Sequence, residues 1–255
     1  MKITRMDQQV TLSKVPEVTF LFWIMKIAAT TLGETGGDAV SMSLNLGYIV
    51  STIIFAVLFI ISVYIQVKAG KFDPLIYWVT IICTTTVGTT LADFVDRSLG
   101  IGYLGGTLLL LMLLAISLAI WRMTLGSVSI NTVATPKQES FYWMTILFSQ
   151  TLGTALGDWT ASSAGLGYMG GIILFSGCIG GLLVAYYATA ISRTALFWAA
   201  FILTRPLGAV LGDFLDKPIA DGGLHLSRFS SSAVRLLFIM GCIFLFTHRA
   251  AQEAH

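Results

Sequence analysis

The nonapeptide TTLGETGGD, Thr30–Asp38, decides how this chain is read, because it comes back three times without a gap. Its copies are TTVGTTLAD (Thr85–Asp93), QTLGTALGD (Gln150–Asp158) and RPLGAVLGD (Arg205–Asp213). The glycine at the fourth place is Gly33, Gly88, Gly153 and Gly208, so the copies stand 55, 65 and 55 residues apart. Ten residues before each glycine is a tryptophan: Trp23, Trp78, Trp143 and Trp198. Downstream come Gly47–Tyr48, Gly102–Tyr103 and Gly167–Tyr168, with Gly222–Gly223 in the fourth copy. A fixed order of Trp, Gly, Asp and Gly–Tyr at one period is an internal repeat, and such periods are sought before any other feature.

Working outward, every repeat contains two apolar runs. A membrane-spanning helix needs about 20 mostly apolar residues to cross a hydrocarbon core of about 30 Å. Eight runs qualify, at 18–40, 46–67, 74–95, 101–122, 139–160, 166–189, 194–215 and 229–248. The chain is 56% hydrophobic and 11% charged, with a mean hydropathy of +0.83. A soluble domain carries roughly 25% charged residues, so this surface needs lipid as part of its solvent. The net charge of +2 gives no reason to expect nucleic acid. Cys83, Cys178 and Cys242 lie singly in apolar runs, without metal-ligand spacing. The expected architecture is an all-α integral membrane protein of eight transmembrane helices, built as four parallel two-helix repeats with the odd helices inside. Two spans per repeat make every copy enter the membrane in the same direction, which gives parallel rather than inverted repeats.

The expected divisions are an N-terminal segment 1–17, repeats one and two at 18–125, a linker 126–138, repeats three and four at 139–249, and a tail 250–255. The first seventeen residues, with Lys2, Arg5, Asp7, Lys14 and Glu17, are too polar for a secretory signal. Lys and Arg favour the N-terminus and the loops after even spans nine to three, which puts both termini in the cytoplasm.

These Trp, Gly and Asp positions resemble the bacterial membrane-protein repeat of unknown function numbered 347, found as four tandem copies with two transmembrane segments and a tryptophan each. The likeness runs over roughly Phe20 to Thr247. It implies an eight-helix bacterial membrane protein and supplies no activity, so function is argued from the residues.

The small residues come first. Gly33/Gly37, Gly88/Ala92, Gly153/Gly157 and Gly208/Gly212 are four apart on one helix face, which lets helix backbones approach closely. The tryptophans fall near span ends, where amphipathic rings anchor at the membrane interface. The Gly–Tyr pairs read as helix restarts after tight turns, with the tyrosines in an aromatic belt.

The acids read differently. Asp38, Asp93, Asp158 and Asp213 lie about 22 Å along their helices from the tryptophans, still within the bilayer. A buried carboxylate costs roughly 2.5–3.5 kcal/mol even on the lenient insertion scale, and such residues face a bundle interior or a cavity. Glu34 stands one turn before Asp38, and Asp96 and Asp216 stand three residues after Asp93 and Asp213. Lys26, Arg205 and Arg235 are bases in the same spans, and Lys26 and Arg205 are expected to pair with Glu34 and one or two aspartates.

Convergent carboxylate and hydroxyl oxygens, with Thr30, Thr31, Thr85, Thr86 and Thr151 one turn below, suit hard cations such as Mg²⁺, Ca²⁺ and Mn²⁺. The expected function is transport of a small inorganic cation, a divalent metal such as Mn²⁺ or Mg²⁺, coupled to protons. Asp38, Asp93, Asp158 and Asp213 would be the metal ligands and Glu34 a gating or coupling acid. Lys26, Arg205, Asp96 and Asp216 would be the coupling or counter-charge residues. The alternative is a structural or sensory membrane protein whose acid–base pairs only hold the repeats in register. No zinc-protease, nucleophile-elbow or phosphate-loop motif is present, so an enzyme is not expected, and no cofactor motif appears.

Overall fold

A computed structural model describes residues 13–251; Lys2, Arg5, Asp7 and His255 lie outside them. The described chain is all-α. Its eight long helices are α1 (Phe20–Asp38), α2 (Gly47–Lys68), α3 (Pro74–Asp93), α4 (Gly102–Leu125), α5 (Pro136–Asp158), α6 (Gly167–Ala188), α7 (Arg193–Asp216) and α8 (Arg228–Leu245). Six of them are long and apolar enough to cross a membrane; α1 and α5 carry too much polar sequence for that measure. The reason is their place, since both line the bundle interior and turn few side chains outward.

Local chemistry starts the odd helices cleanly. Thr19 caps α1, Asp73 with Pro74 starts α3, and Thr135, Pro136 and Gln138 make a capping box at α5. At the other end, α1, α3 and α5 pass directly after their aspartate into one π-helical turn: Ala39–Ser43, Phe94–Ser98 and Trp159–Ser163. The even helices then restart at Gly47, Gly102 and Gly167, whose φ values of 74°, 74° and 65° favour glycine. The restart is therefore as the sequence predicts.

The odd helices close a ring, α1 against α3, α3 against α5, α5 against α7 and α7 back against α1. Each even helix covers the odd helix of the next repeat: α2 lies on α3, α4 on α5, α6 on α7, and α8 closes the circle on α1. Ile53, Ile60, Leu108, Ile173, Val184 and Phe244 are among the exposed apolar residues of this outer layer. The protein is thus a multi-pass membrane bundle with odd helices inside.

The repeated glycines are where the ring helices touch. A Cβ on Gly33 would overlap Thr85, one on Gly88 would press on Gln150 and Thr151, one on Gly153 on Arg205 and Pro206, and one on Gly208 on Thr30. These partners occupy the first place of the nonapeptide in the following repeat. Gly37, Gly157 and Gly212 meet Thr89, Ala209 and Glu34 in the same manner. Because the obstacle at Gly33 includes the α3 backbone, Gly33→Ala is expected to destabilise the fold by about 1–3 kcal/mol. Gly177→Ala, with open space around it, is expected to change stability by less than about 0.5 kcal/mol. Reversible unfolding in mixed micelles reads the difference.

The tryptophans correct the sequence reading. Trp78, Trp143 and Trp198 are buried, and Trp23 is half-buried. Each meets the aromatic residue that precedes the tryptophan of the previous repeat. Ring centroids are 5.6 Å apart for Phe22–Trp78, 5.6 Å for Tyr77–Trp143, 6.3 Å for Tyr142–Trp198 and 5.9 Å for Phe197–Trp23. The aromatics latch repeat to repeat around the ring instead of anchoring in an interface. Edge and tilted contacts of this kind contribute roughly 0.5–1.5 kcal/mol each beyond burial. Val15, Ile130 and Val133 pack onto the same cluster, so the N-terminal segment and the linker seal this aromatic end. Lys14 bonds Glu139 at 2.7 Å there, and Pro16 pairs with Ala250.

Candidate functional site

The repeat register stacks equivalent residues in layers along the ring axis. From the aromatic end they are Phe22/Tyr77/Tyr142/Phe197, then Lys26/Ile81/Ile146/Phe201, then Thr30/Thr85/Gln150/Arg205, then Glu34/Thr89/Thr154/Ala209, and last Asp38/Asp93/Asp158/Asp213. Successive layers are four residues apart, about 6 Å of helix rise. All of these side chains are buried. Hydrophobic closure at one end and carboxylates at the other follow from one face of each odd helix.

Arg205 lies on this axis. Its Nη2 donates to Glu34 Oε2 of α1 at 3.0 Å, to Thr89 Oγ1 of α3 at 2.6 Å and to Thr154 Oγ1 of α5. Glu34 and Arg205 thus pair as expected. The helix α7 runs through Pro206 without a break. Lys26 departs from expectation. Its ammonium is fully buried, lies 4.0 Å from the centre of the Phe201 ring and has no hydrogen-bond partner, because Arg205 has already taken Glu34. Arg235 bonds the Ser231 carbonyl at 2.7 Å and meets no acid.

The threonines also divide unexpectedly. Thr31, Thr86 and Thr151 donate to carbonyls of their own helix, and Thr30 to the Ile27 carbonyl. The hydroxyls that reach the charged groups belong to Thr89 and Thr154, one turn further on. A hydroxyl that back-bonds its own helix is a poor ligand, so the ring of threonines foreseen below the acids is not assembled.

The aspartates form two bridged pairs. Arg97 bonds Asp93 at 3.1 Å and Asp158 at 3.3 Å. Lys217 bonds Asp213 at 3.1 Å and also Asp38. In each case the base joins its own repeat to the next one. Arg228 adds a 2.7 Å bond to Asp216 and stands 3.8 Å from Asp38. Tyr48 accepts from Arg97 at 2.9 Å, and the guanidinium lies over the rings of Tyr48 and Tyr103, so these half-buried tyrosines serve the site as well as the belt.

Arg97 and Lys217 were missed as site residues because they count as loop charges. Their signal was legible. The segments DFVDR (Asp93–Arg97) and DFLDK (Asp213–Lys217) put a base one helical turn after each aspartate. Repeats one and three have Met42 and Ser162 at that place, so the charged end has twofold rather than fourfold pseudosymmetry.

Two groups of carboxylates have ligand atoms within 4.8 Å of one another: Glu34 with Asp158 and Asp213, and Asp38 with Asp213 and Asp216. Asp213 belongs to both. Asp93 belongs to neither; its carboxylate is turned to Arg97. Oδ1 of Asp38 and Oδ1 of Asp216 are buried and accept no hydrogen bond. Asp96, also buried, abuts Gly106 of α4 with both oxygens unbonded. Six buried aspartates therefore face three bases, Arg97, Lys217 and Arg228, and an excess of three negative charges remains when all are ionised.

The family described as Repeat of Unknown Function (DUF347) matches residues 21–72, 76–126, 141–192 and 196–252. The chain belongs to the DUF347 repeat family. Each DUF347 segment takes in one odd and one even helix, so the repeat is the two-helix unit whose even helix covers its successor. No curated protein and no solved structure matches the chain.

Proposed function

We propose that this protein transports a divalent cation such as Mn²⁺ or Mg²⁺, with proton coupling, through the carboxylate end of its central ring. The observation that carries the reading is Asp213, shared by two buried three-carboxylate groups whose oxygens lie within ligand reach of a single ion. Hard cations take such oxygens. The excess of three negative charges is offset by one divalent ion and one proton. Arg97, Lys217 and Arg228 are counter-charges that stand in for the cation when it is absent. The nine-to-three Lys and Arg bias supports cytoplasmic termini, with the acidic end outward, and the likeness to a bacterial membrane-protein repeat supports a bacterial inner membrane. With the aromatic end sealed by Trp78, Trp143 and Trp198, ion passage requires that seal to open, as an alternating-access carrier does.

The competing reading is structural, and the bridges from Arg97 and Lys217 across adjacent repeats favour it, since they hold the repeats in register. Flux in proteoliposomes loaded with Mn²⁺, Mg²⁺, Ca²⁺, K⁺ or H⁺ separates the two. Transport predicts a divalent flux that Asp213→Asn reduces by more than about 100-fold. Asp93→Asn, outside both groups, reduces it less, within the roughly 10–100-fold range of outer-shell changes. No flux of any ion, or equal flux in Asp213→Asn, favours the structural role.

A further inference from the structure

Below the carboxylates, the axis carries polar groups that the cation reading leaves unused. Among the described residues, Lys26 Nζ, both amide atoms of Gln150, and Nε and Nη1 of Arg205 are buried without a hydrogen-bond partner. All three residues are fully inaccessible to solvent. They come from three of the four ring helices, α1, α5 and α7. Gln150 and Arg205 share one axial layer, and Lys26 belongs to the layer one turn nearer the aromatic end. Lys26 lies against Phe201, one turn before Arg205 on the same face of α7.

The balance of hydrogen bonding and charge here is one-sided. The unpartnered atoms are chiefly donors: an ammonium, two edges of a guanidinium and an amide that can turn its NH₂ inward. Arg205 and Glu34 neutralise each other, so the Lys26 amine, one layer nearer the aromatic end, is left without a charge partner among the described residues. Buried donors without acceptors cost about 1–3 kcal/mol each, and buried charges are paired in folded proteins. The missing partner is an acceptor of single negative charge, small enough to sit between helix faces. A divalent cation would be repelled by the Lys26 and Arg205 side chains.

We propose that Lys26, Gln150 and Arg205 form a mid-bundle binding site for a small monovalent anion of the halide or nitrate class. The anion receives charge-assisted hydrogen bonds from Lys26 and the free edge of Arg205, with Gln150 closing the third side. This site is distinct from the carboxylate groups and does not rest on cation transport. Its occupancy links Arg205 of α7 to α1 and α5 while Nη2 remains on Glu34. The two ends of the axis thus bind ions of opposite sign.

The test uses the purified full-length chain in detergent micelles at constant ionic strength, with sodium gluconate replaced stepwise by sodium chloride. The expected result is a saturable rise of the unfolding midpoint with chloride. Lys26→Met removes the charge and keeps the length, and raises the apparent Kd at least tenfold. Gln150→Leu, which alters no charge, weakens binding as well and serves if Lys26→Met does not fold. Crystals grown in bromide give an anomalous peak between Lys26, Gln150 and Arg205. No chloride dependence, meaning water satisfies the donors, overturns the proposal. So does a rise that both variants retain unchanged, which places the anion at the surface. Loss of divalent flux in Asp213→Asn leaves this result untouched, so the two proposals fail separately.

Discussion

Arg205→Met is expected to destabilise the folded protein by about 3–5 kcal/mol, the range for removing one partner of a buried ion pair. Arg205 is fully buried and its one terminal nitrogen bonds Glu34, Thr89 and Thr154, groups from three different repeats. Without it Glu34 keeps only the Thr89 hydroxyl, at 3.3 Å, beside the carboxylates of Asp158 and Asp213. The cost is the uncompensated buried charge rather than the worth of the contact itself. Adding Glu34→Gln is therefore expected to recover most of the loss, to within about 1 kcal/mol of the parent, because hydrophobic or neutral replacements of both partners are often tolerated. Thr89 has the Thr85 carbonyl to fall back on, at 3.2 Å. Unfolding in mixed micelles of the two single variants and the double variant measures the coupling. Equal, additive losses would show that the pair does not act as a unit.

The second large effect is in binding. Lys217 holds Asp38 and Asp213, and both aspartates belong to the Asp38/Asp213/Asp216 group. A cation entering that group must displace an ammonium or sit against it. Two unit charges about 4 Å apart at an effective dielectric near 20 repel by about 4 kcal/mol, and a divalent ion feels more. Lys217→Gln is expected to tighten divalent binding by at least about tenfold, a conservative share of that repulsion at 1.4 kcal/mol per decade. The same substitution is expected to slow flux, because a bound ion with no returning counter-charge leaves slowly. Arg97→Gln, whose aspartates are Asp93 and Asp158, touches only the Glu34 group and has the smaller effect. Calorimetric titration and flux on the same preparations separate tighter binding from slower turnover.

The repeat made much of this fold legible. The nonapeptide, its glycine pairs and its two apolar runs per period fix eight helices, their direction and the inner ring, because small residues at i and i+4 mark the close-packed face. The tryptophans were misread because a position near a span end suits an interface and a ring contact equally. Their partners Phe22, Tyr77, Tyr142 and Phe197 lie one repeat away, beyond any local pattern. Lys26 was paired with Glu34 from its place on the same helix, but Arg205, distant in sequence, takes the carboxylate when the ring closes. The hydroxyls of Thr30, Thr31, Thr86 and Thr151 back-bond their own turns, and Thr85 bonds the Ala29 carbonyl of α1, which a single helix face does not reveal. Arg97 and Lys217 were visible as a base one turn after an aspartate, and went unread because charges near span ends were counted for orientation only.

The central claim is that Asp213 joins two carboxylate groups into a divalent cation site. Electron paramagnetic resonance of Mn²⁺ titrated into the purified chain counts free and bound ion directly. Saturable binding is expected in the wild-type chain, weakened more than about 100-fold by Asp213→Asn and less, within the roughly 10–100-fold range of outer-shell changes, by Asp93→Asn. Binding that is absent from the folded wild-type chain, or that Asp213→Asn leaves unchanged, would contradict it.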